Sequence, residues 1–286
     1  MIKKIIPPML WLWLWLCASL QPAWALQLPQ TQATPGGIAI VALDDRSTPP
    51  VVHYGDRRVM VVEHNGHWQA VVGIPLSAPA GRHTLIVERD GERSDIAFDV
   101  TAKDYATQHI TIKDKRKVNP SEDDLRRIRQ ESKQIKQAFR HWTGHLLTNH
   151  LHMSPPAEGR LSSPFGLKRY FNQQPRKPHS GLDIAAERGT PVSAPADGRV
   201  ITTGDYFFNG NSVFIDHGLG LITMFCHLDT INVAEGQRIS RGDIIGAIGM
   251  TGRATGPHLH WSISLNDARI DPMLLTPSLN GGSPPP

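Results

Sequence analysis

Five histidines in the second half of the chain stand in patterns that could do chemistry. His179-Ser180-Gly181-Leu182-Asp183 is an H-x-x-x-D element, His227 follows Phe225-Cys226, His258-Leu259-His260 is an H-x-H, and His217 is the fifth. On a strand, His258 and His260 point to one face because side chains alternate with period two, so two imidazoles reach one site. On a straight strand His179 and Asp183 would stand ~13 Å apart, too far to share an ion, so the chain must bend between them. Ser180-Gly181 makes such a bend cheap. Three or four nitrogen and oxygen donors of this kind suit zinc, which takes His and carboxylate ligands at ~2.0–2.2 Å. Taken singly, H-x-H is a weak signal and H-x-x-x-D a weaker one. Spacing alone does not separate a metal site from ordinary structural histidines.

The other nine of the 14 histidines precede residue 160 and are scattered. His145, His150 and His152 have no matched partner nearby and read as a compositional cluster. His217, in Asp216-His217-Gly218, reads as a turn residue at a strand end. Cys226 reads as a buried thiol on the face opposite His227, and strand alternation puts Phe225 on the same face as His227, where it would pack.

These residues need elements to hold them. Arg58–Glu63 and His67–Ile74 flank Asn65-Gly66, and Arg82–Glu88 and Ser94–Val100 flank Asp90-Gly91. Both dipeptides tolerate positive φ and predict hairpins. Residues 26–112 are therefore expected to form a small N-terminal β-sandwich-like domain. A linker follows over 113–159, with an amphipathic helix over about 121–142. Ser121 is its N-cap, Glu122, Asp123 and Asp124 fill its first turn, and Leu125, Ile128, Ile135, Phe139 and Trp142 lie close to one face. The helix is expected to brace two domains. Residues 160–275 again read as strands, with candidates at Gly198–Thr203, Ser212–Asp216, Leu221–Cys226, Ile244–Ile248 and Leu259–Leu265. The fold class is mainly β. Residues 276–286, ending in Gly, Ser and Pro, are expected to be a disordered tail.

Composition narrows the function classes. The chain has 286 residues, 40% hydrophobic and 20% charged, which excludes a wholly disordered protein. Thirty basic residues stand against 26 acidic ones, a formal charge of +4, with no long Lys/Arg block, so nucleic acid is not an expected partner. A slight positive charge suits an acidic polymer such as a cell-wall glycan. Lys3 and Lys4 precede an apolar run from Ile5 to Leu20, and Ala23-Trp24-Ala25 has the small-x-small form of a secretory cleavage site. Residues 1–25 are expected to be a cleaved signal peptide, since the run is short for a span and is broken by Pro7-Pro8. Cleavage leaves Cys226 as the single cysteine, so no intramolecular disulfide forms, and no later stretch is long enough to cross a membrane.

Arg160–Leu275 resembles the M23 (lysostaphin/LytM-type) zinc metallopeptidases of bacterial cell walls. The resemblance rests on Ser163-Pro164-Phe165-Gly166, the H-x-x-x-D within Lys177–Ile184, Ala194-Pro195-Ala196-Asp197-Gly198, the middle His227-Leu228, and Thr255-Gly256-Pro257-His258-Leu259-His260, all in family order. It implies an antiparallel-β LytM-type peptidase domain with one Zn2+ per chain, held by His179, Asp183 and His260 on the floor of a groove. It makes His227 and His258 catalytic histidines. Three protein ligands leave a position for water, as in catalytic zinc sites, and a zinc-activated water would attack the peptide carbonyl. The two catalytic histidines would move the proton and steady the oxyanion. Phe225 departs from the family, which often has Tyr there. Tyr170, Phe171, Tyr206, Phe207 and Asn209–Asn211 fall in loops that the resemblance sets near the groove.

Two other readings compete. A non-hydrolytic LytM-type activator of cell-wall amidases would have lost zinc ligands, whereas all three ligand positions and both histidines are intact. A biotinyl- or lipoyl-type carrier shares the pattern of Thr190–Gly198 and Val233–Gln237 but needs an attachment lysine, and no Lys follows Lys177. The resemblance implies as substrate the peptide stem of peptidoglycan, cut at the D-Ala–diaminopimelate crosslink by an exported, periplasmic enzyme of Gram-negative type, with a secreted glycyl-glycine lysin as the alternative. The N-terminal domain is expected to be a substrate guide, a cover, or a dock for an envelope protein.

Overall fold

A computed structural model describes residues 26–44 and 47–280. The signal-peptide assignment, residues 1–25, and the last part of the expected tail, residues 281–286, lie outside the described residues.

The first unit has six antiparallel strands: β1 (Ile38–Ala42), β2 (Val51–Tyr54), β3 (Arg57–His64), β4 (His67–Gly73), β5 (Gly81–Arg89) and β6 (Glu92–Val100). Their order is β1-β4-β3-β2-β5-β6. The two layers are continuous through β3, whose first residues pair with β2 and whose remainder pairs with β4. Between the layers lie Val41, Val52, Val59, Val72, Leu85 and Val87. Both expected hairpins form, with Asn65, Gly66, Asp90 and Gly91 at φ 52°, 81°, 53° and 82°. Those values belong to turns that match the twist of the flanking strands.

The expected first domain, 26–112, includes a strand that pairs with the second unit. β7 (Thr107–Ile110) leaves the first unit and pairs in parallel with β9 (Lys168–Phe171), after β8 (Arg160–Ser163). His109 stacks on Tyr170 at 4.9 Å, and Ile112 and Val118 close over Phe171. Alternation in β7 is too short to show which sheet it joins.

The helix α1 (Glu122–Phe139) begins as expected, with Ser121 and Asp124 in a reciprocal capping box, and stops three residues before the expected end. Phe139 and Ala138 bury against Tyr206, Phe214, Ile222, Met224 and Cys226. Beyond the helix, Arg140 pairs with Asp56 of the first unit and Asp267 of the second, and Arg58 lies 4.6 Å over the Trp142 ring. The helix end therefore touches both units.

The second unit continues through β10 (Gln174–Pro175), β11 (Leu182–Ala185), β12 (Pro191–Ser193), β13 (Gly198–Tyr206), β14 (Gly210–Asp216), β15 (Leu221–Ile231), β16 (Arg238–Ile239), β17 (Ile244–Ile248), β18 (Leu259–Leu265) and β19 (Ala268–Ile270). The principal sheet runs β16-β13-β14-β15-β18-β11-β8, with β12 and β17 paired beside it. Its core joins that of the first unit: Ile38, Met60, Val62 and Val71 pack in one cluster with Leu221, Ile263, Leu265 and Ile270. Asn266 seals the junction, accepting from Gly73 N at 2.7 Å and donating to Gly73 O at 3.0 Å.

Part of the expected tail is ordered. Pro277–Asn280 forms a 3-10 turn, Thr276 is fully buried and donates to Pro272 O, and Leu279 packs on the core. Apolar anchors inside a Pro-rich stretch outweigh its composition. Among the described residues no helix is long and apolar enough to cross a membrane.

Candidate metal centre

Three strands and two loops converge on the site. β11 lies between β8 and β18, and its Asp183 is the register partner of both Ser163 and His260. His179 precedes β11 in a loop pinned at both backbone groups, His179 N donating to Leu167 O and Gly166 N to His179 O. The bend required between His179 and Asp183 is present, and Gly181 permits it by close approach. A Cβ there would come within 2.5 Å of Trp261 O and 2.7 Å of His260 Cε1. Only a residue without a side chain lets this loop lie on β18.

The result is a cluster of three donor atoms. His179 Nε2 lies 3.0 Å from Asp183 Oδ1 and 3.0 Å from His260 Nδ1, and the last two lie 2.7 Å apart. His179 and Asp183 are buried and His260 is partly so. The second nitrogen of each imidazole is occupied: His179 Nδ1 donates to Pro164 O at 2.7 Å, and His260 Nε2 meets Ser262 Oγ at 3.0 Å. Such outer bonds fix the tautomer and turn the other nitrogen's lone pair to a metal. Two imidazoles and one carboxylate with converging lone pairs fit a zinc-type ion.

Electrostatics favours a neutral His260 ring beside an ionised carboxylate. Burial pushes His260 down to about 4 despite the neighbouring Asp183. Burial works to raise the Asp183 carboxyl, and the imidazoles of His179 and His260 more than reverse this, leaving it well below the usual carboxylate range. Ligands must present these protonation states to bind a metal.

The H-x-H pair divides. His260 is in the cluster, whereas His258 lies beside His227 with ring centroids 4.8 Å apart. His227 Nδ1 donates to Thr251 O and His258 Nδ1 to Gly256 O, each at 2.8 Å, which puts the lone pair of each ring on Nε2, and among the described residues no hydrogen bond engages either Nε2. Burial, then His258, pushes His227 down to about 3.

His227 reaches this position through a bulge that strand alternation does not reveal. Asn211 pairs with Leu228 but Val213 with Phe225, so β15 carries one extra residue there, and His227 has φ 62°. Phe225 and Leu228, three apart, consequently share one core cluster. The expectation that Phe225 and His227 share a face is corrected: Phe225 packs in the core while His227 turns to His258. Cys226 packs on the opposite face, with Phe214 and Met224, and burial pushes its thiol up to about 12.

Other residues fall elsewhere. His217 is fully buried rather than a simple turn residue, bonded to Asp197 O and Thr223 Oγ1. Phe171 and Tyr206 are core residues, and Asn209 O accepts from His227 N. Arg169 was not singled out by the sequence, because a lone arginine has no spacing signal. It donates to Asp183 Oδ2 at 2.9 Å, leaving Oδ1 for the cluster, and also bonds Ser163 Oγ and Gln108 Oε1. A groove of about 220 Å³ runs beside His258, lined by Gln108 and Ile110 of β7, Ser162, Arg169 and Thr255–His258. The first unit joins at Leu265–Asn266, ~17 Å along β18 from His260.

The arrangement has counterparts among known proteins. The family model "Peptidase family M23" matches residues 177–272, and "Peptidase family M23 N-terminal domain" matches residues 31–103. The chain is 40% identical over 130 residues to the DD-carboxypeptidase/endopeptidase Mpg of Neisseria meningitidis, covering 44% of this chain and 30% of that protein. It is 42% identical over 115 residues to the peptidoglycan DD-endopeptidase ShyA of Vibrio cholerae, covering 40% of this chain and 27% of that protein. The matches thus span less than a third of these curated relatives. A crystal structure of an M23 peptidase-family protein from Pseudomonas aeruginosa superposes with a TM-score of 0.73 at 43% identity, covering 86% of this chain and 95% of that one. With both family models matched in order and a relative aligned over almost its whole length, the chain belongs to peptidase family M23.

Proposed function

We infer that this protein is a zinc-dependent endopeptidase that hydrolyses peptide crosslinks of peptidoglycan. The observation that carries this reading is the three-donor cluster of His179, Asp183 and His260 with the His227–His258 pair at its side. Those three residues would hold one zinc ion. When bound, zinc supplies a Lewis acid that polarises the scissile carbonyl and lowers the pKa of water. His227 and His258 each offer a free Nε2 that can take a proton during attack and return it to the departing amine. Protonated, the same rings stabilise negative charge on the carbonyl oxygen. Arg169 holds Asp183 from behind and keeps its orientation.

The D-Ala–diaminopimelate bond is the proposed scissile bond, and the periplasm, reached by a cleaved signal over residues 1–25, the proposed compartment. The names of Mpg and ShyA support the bond class. Purified protein should digest isolated sacculi to uncrosslinked muropeptides, identified by chromatography and mass spectrometry. A chelator should stop digestion and stoichiometric zinc restore it. Folded, zinc-loaded protein that leaves sacculi intact but stimulates a wall amidase would replace this reading with the regulatory one.

A further inference from the structure

Arg253 is a cation held between aromatic rings. Its guanidinium lies over the rings of Phe171 and Phe208, 4.6 and 4.2 Å from their centroids. Its Nη1 meets the Lys117 carbonyl at a long 3.4 Å, and among the described residues no carboxylate pairs with it. Burial, with Arg169 and Arg176 adding their charge, pushes it down to about 10. Among the described residues Arg176 has no counter-ion either, and it donates to the carbonyls of Pro175 and Val118 and to Gln174 Oε1. Proteins normally pair charges taken out of water, because an uncompensated one is costly. Arg253 is itself only partly buried.

The position is beside the chemistry. Thr251, two residues earlier, holds His227 through its carbonyl, and His258 lies five residues later on the same loop. Arg253 N donates to Phe208 O next to Asn209, whose carbonyl accepts from His227 N.

We propose that Arg253, flanked by Arg176, is a carboxylate subsite on the loop that leads to His258, taking a free carboxylate of the substrate peptide near the scissile bond through the fork of its guanidinium. The two aromatic rings hold the guanidinium plane, so little freedom is lost on binding. The proposal rests on the endopeptidase reading for the identity of the peptide: stem peptides built on diaminopimelate carry such carboxylates.

The test compares soluble crosslinked stem peptides with free carboxylates against the same peptides amidated. Zinc-loaded protein should prefer the free form by about tenfold to a hundredfold in kcat/KM, carried by KM, as for a charge-assisted bidentate pair. R253Q should lose that preference and R253K keep part of it, with circular dichroism melting confirming each fold. Equal cleavage of both forms by the unaltered protein, or full preference in folded R253Q, would overturn the subsite. Calorimetry of both peptides on chelated protein separates this from the parent reading. If no peptide is ever cut, yet the free form binds more tightly in an Arg253-dependent way, the subsite stands and the endopeptidase reading falls. Equal binding of both forms there overturns the subsite as well. Should both variants unfold, the free-against-amidated comparison on the unaltered protein decides alone.

Discussion

Asp183 and His260 are cross-strand register partners on β11 and β18, and their Oδ1 and Nδ1 atoms lie 2.7 Å apart. His179, four residues upstream of Asp183, joins them because Gly181 lets the loop fold onto β18. The three-donor cluster and the packing of the loop on β18 are therefore coupled through a few residues.

Zinc content should divide the histidines. H179A, D183A and H260A are expected to lose the metal, measured by elemental analysis of the purified protein. H227A and H258A should retain it while turnover falls ~10²–10⁴-fold, the usual range for general acid–base groups. Metal-free H227A would reverse the assignment.

Arg169 is expected to act through Asp183. R169M should weaken zinc binding ~10–100-fold, in line with other outer-shell partners, and R169K should recover part of the loss. Competition against a chromogenic chelator measures this, and unchanged affinity in R169M would remove the role.

Gly181→Ala should destabilise the protein by ~1–3 kcal/mol, as overpacking does, and reduce zinc affinity as well. Thermal unfolding with and without zinc reads both effects. A variant of unchanged stability would show that the loop can lift from β18 freely.

His217 predicts a pH effect outside the metal centre. Burial holds its pKa below the ordinary value, so the unfolded chain binds a proton that the folded chain does not. Its contribution is present above pH ~6.5 and is lost as pH falls below that, at up to about 1.4 kcal/mol per pH unit for one proton. Urea midpoints of zinc-loaded protein from pH 7.5 to 5 should fall more steeply for the natural sequence than for H217Q. Parallel curves would assign the acid sensitivity to other groups.

Asn266 should matter more than its place in a two-residue turn suggests. N266A leaves both Gly73 backbone groups without partners in a buried junction and should cost ~2–6 kcal/mol, about 1–3 for each group. A separate, earlier melting step for the first unit would show that this contact couples the two units.

What the sequence by itself determined is what short-range physics controls. The hairpins at Asn65-Gly66 and Asp90-Gly91 follow from residues that accept positive φ, and the start of α1 from Ser121 capping its own first turn. The spacing of His179, Asp183, His258 and His260 left a metal site and structural histidines both open, and the order of the surrounding motifs carried the resemblance to the family and, through it, the chemistry. Tertiary structure alone decided what depends on partners far along the chain. The bulge that turns His227 away from the face of Phe225 arises from pairing with β14, and alternation within β15 cannot reveal it. β7 joins β9, where Ile112 and Val118 pack with Phe171. Arg169 and Arg253 gain meaning only when Asp183 and the rings of Phe171 and Phe208 come beside them, since a charge has no period in sequence and takes its energy from its surroundings.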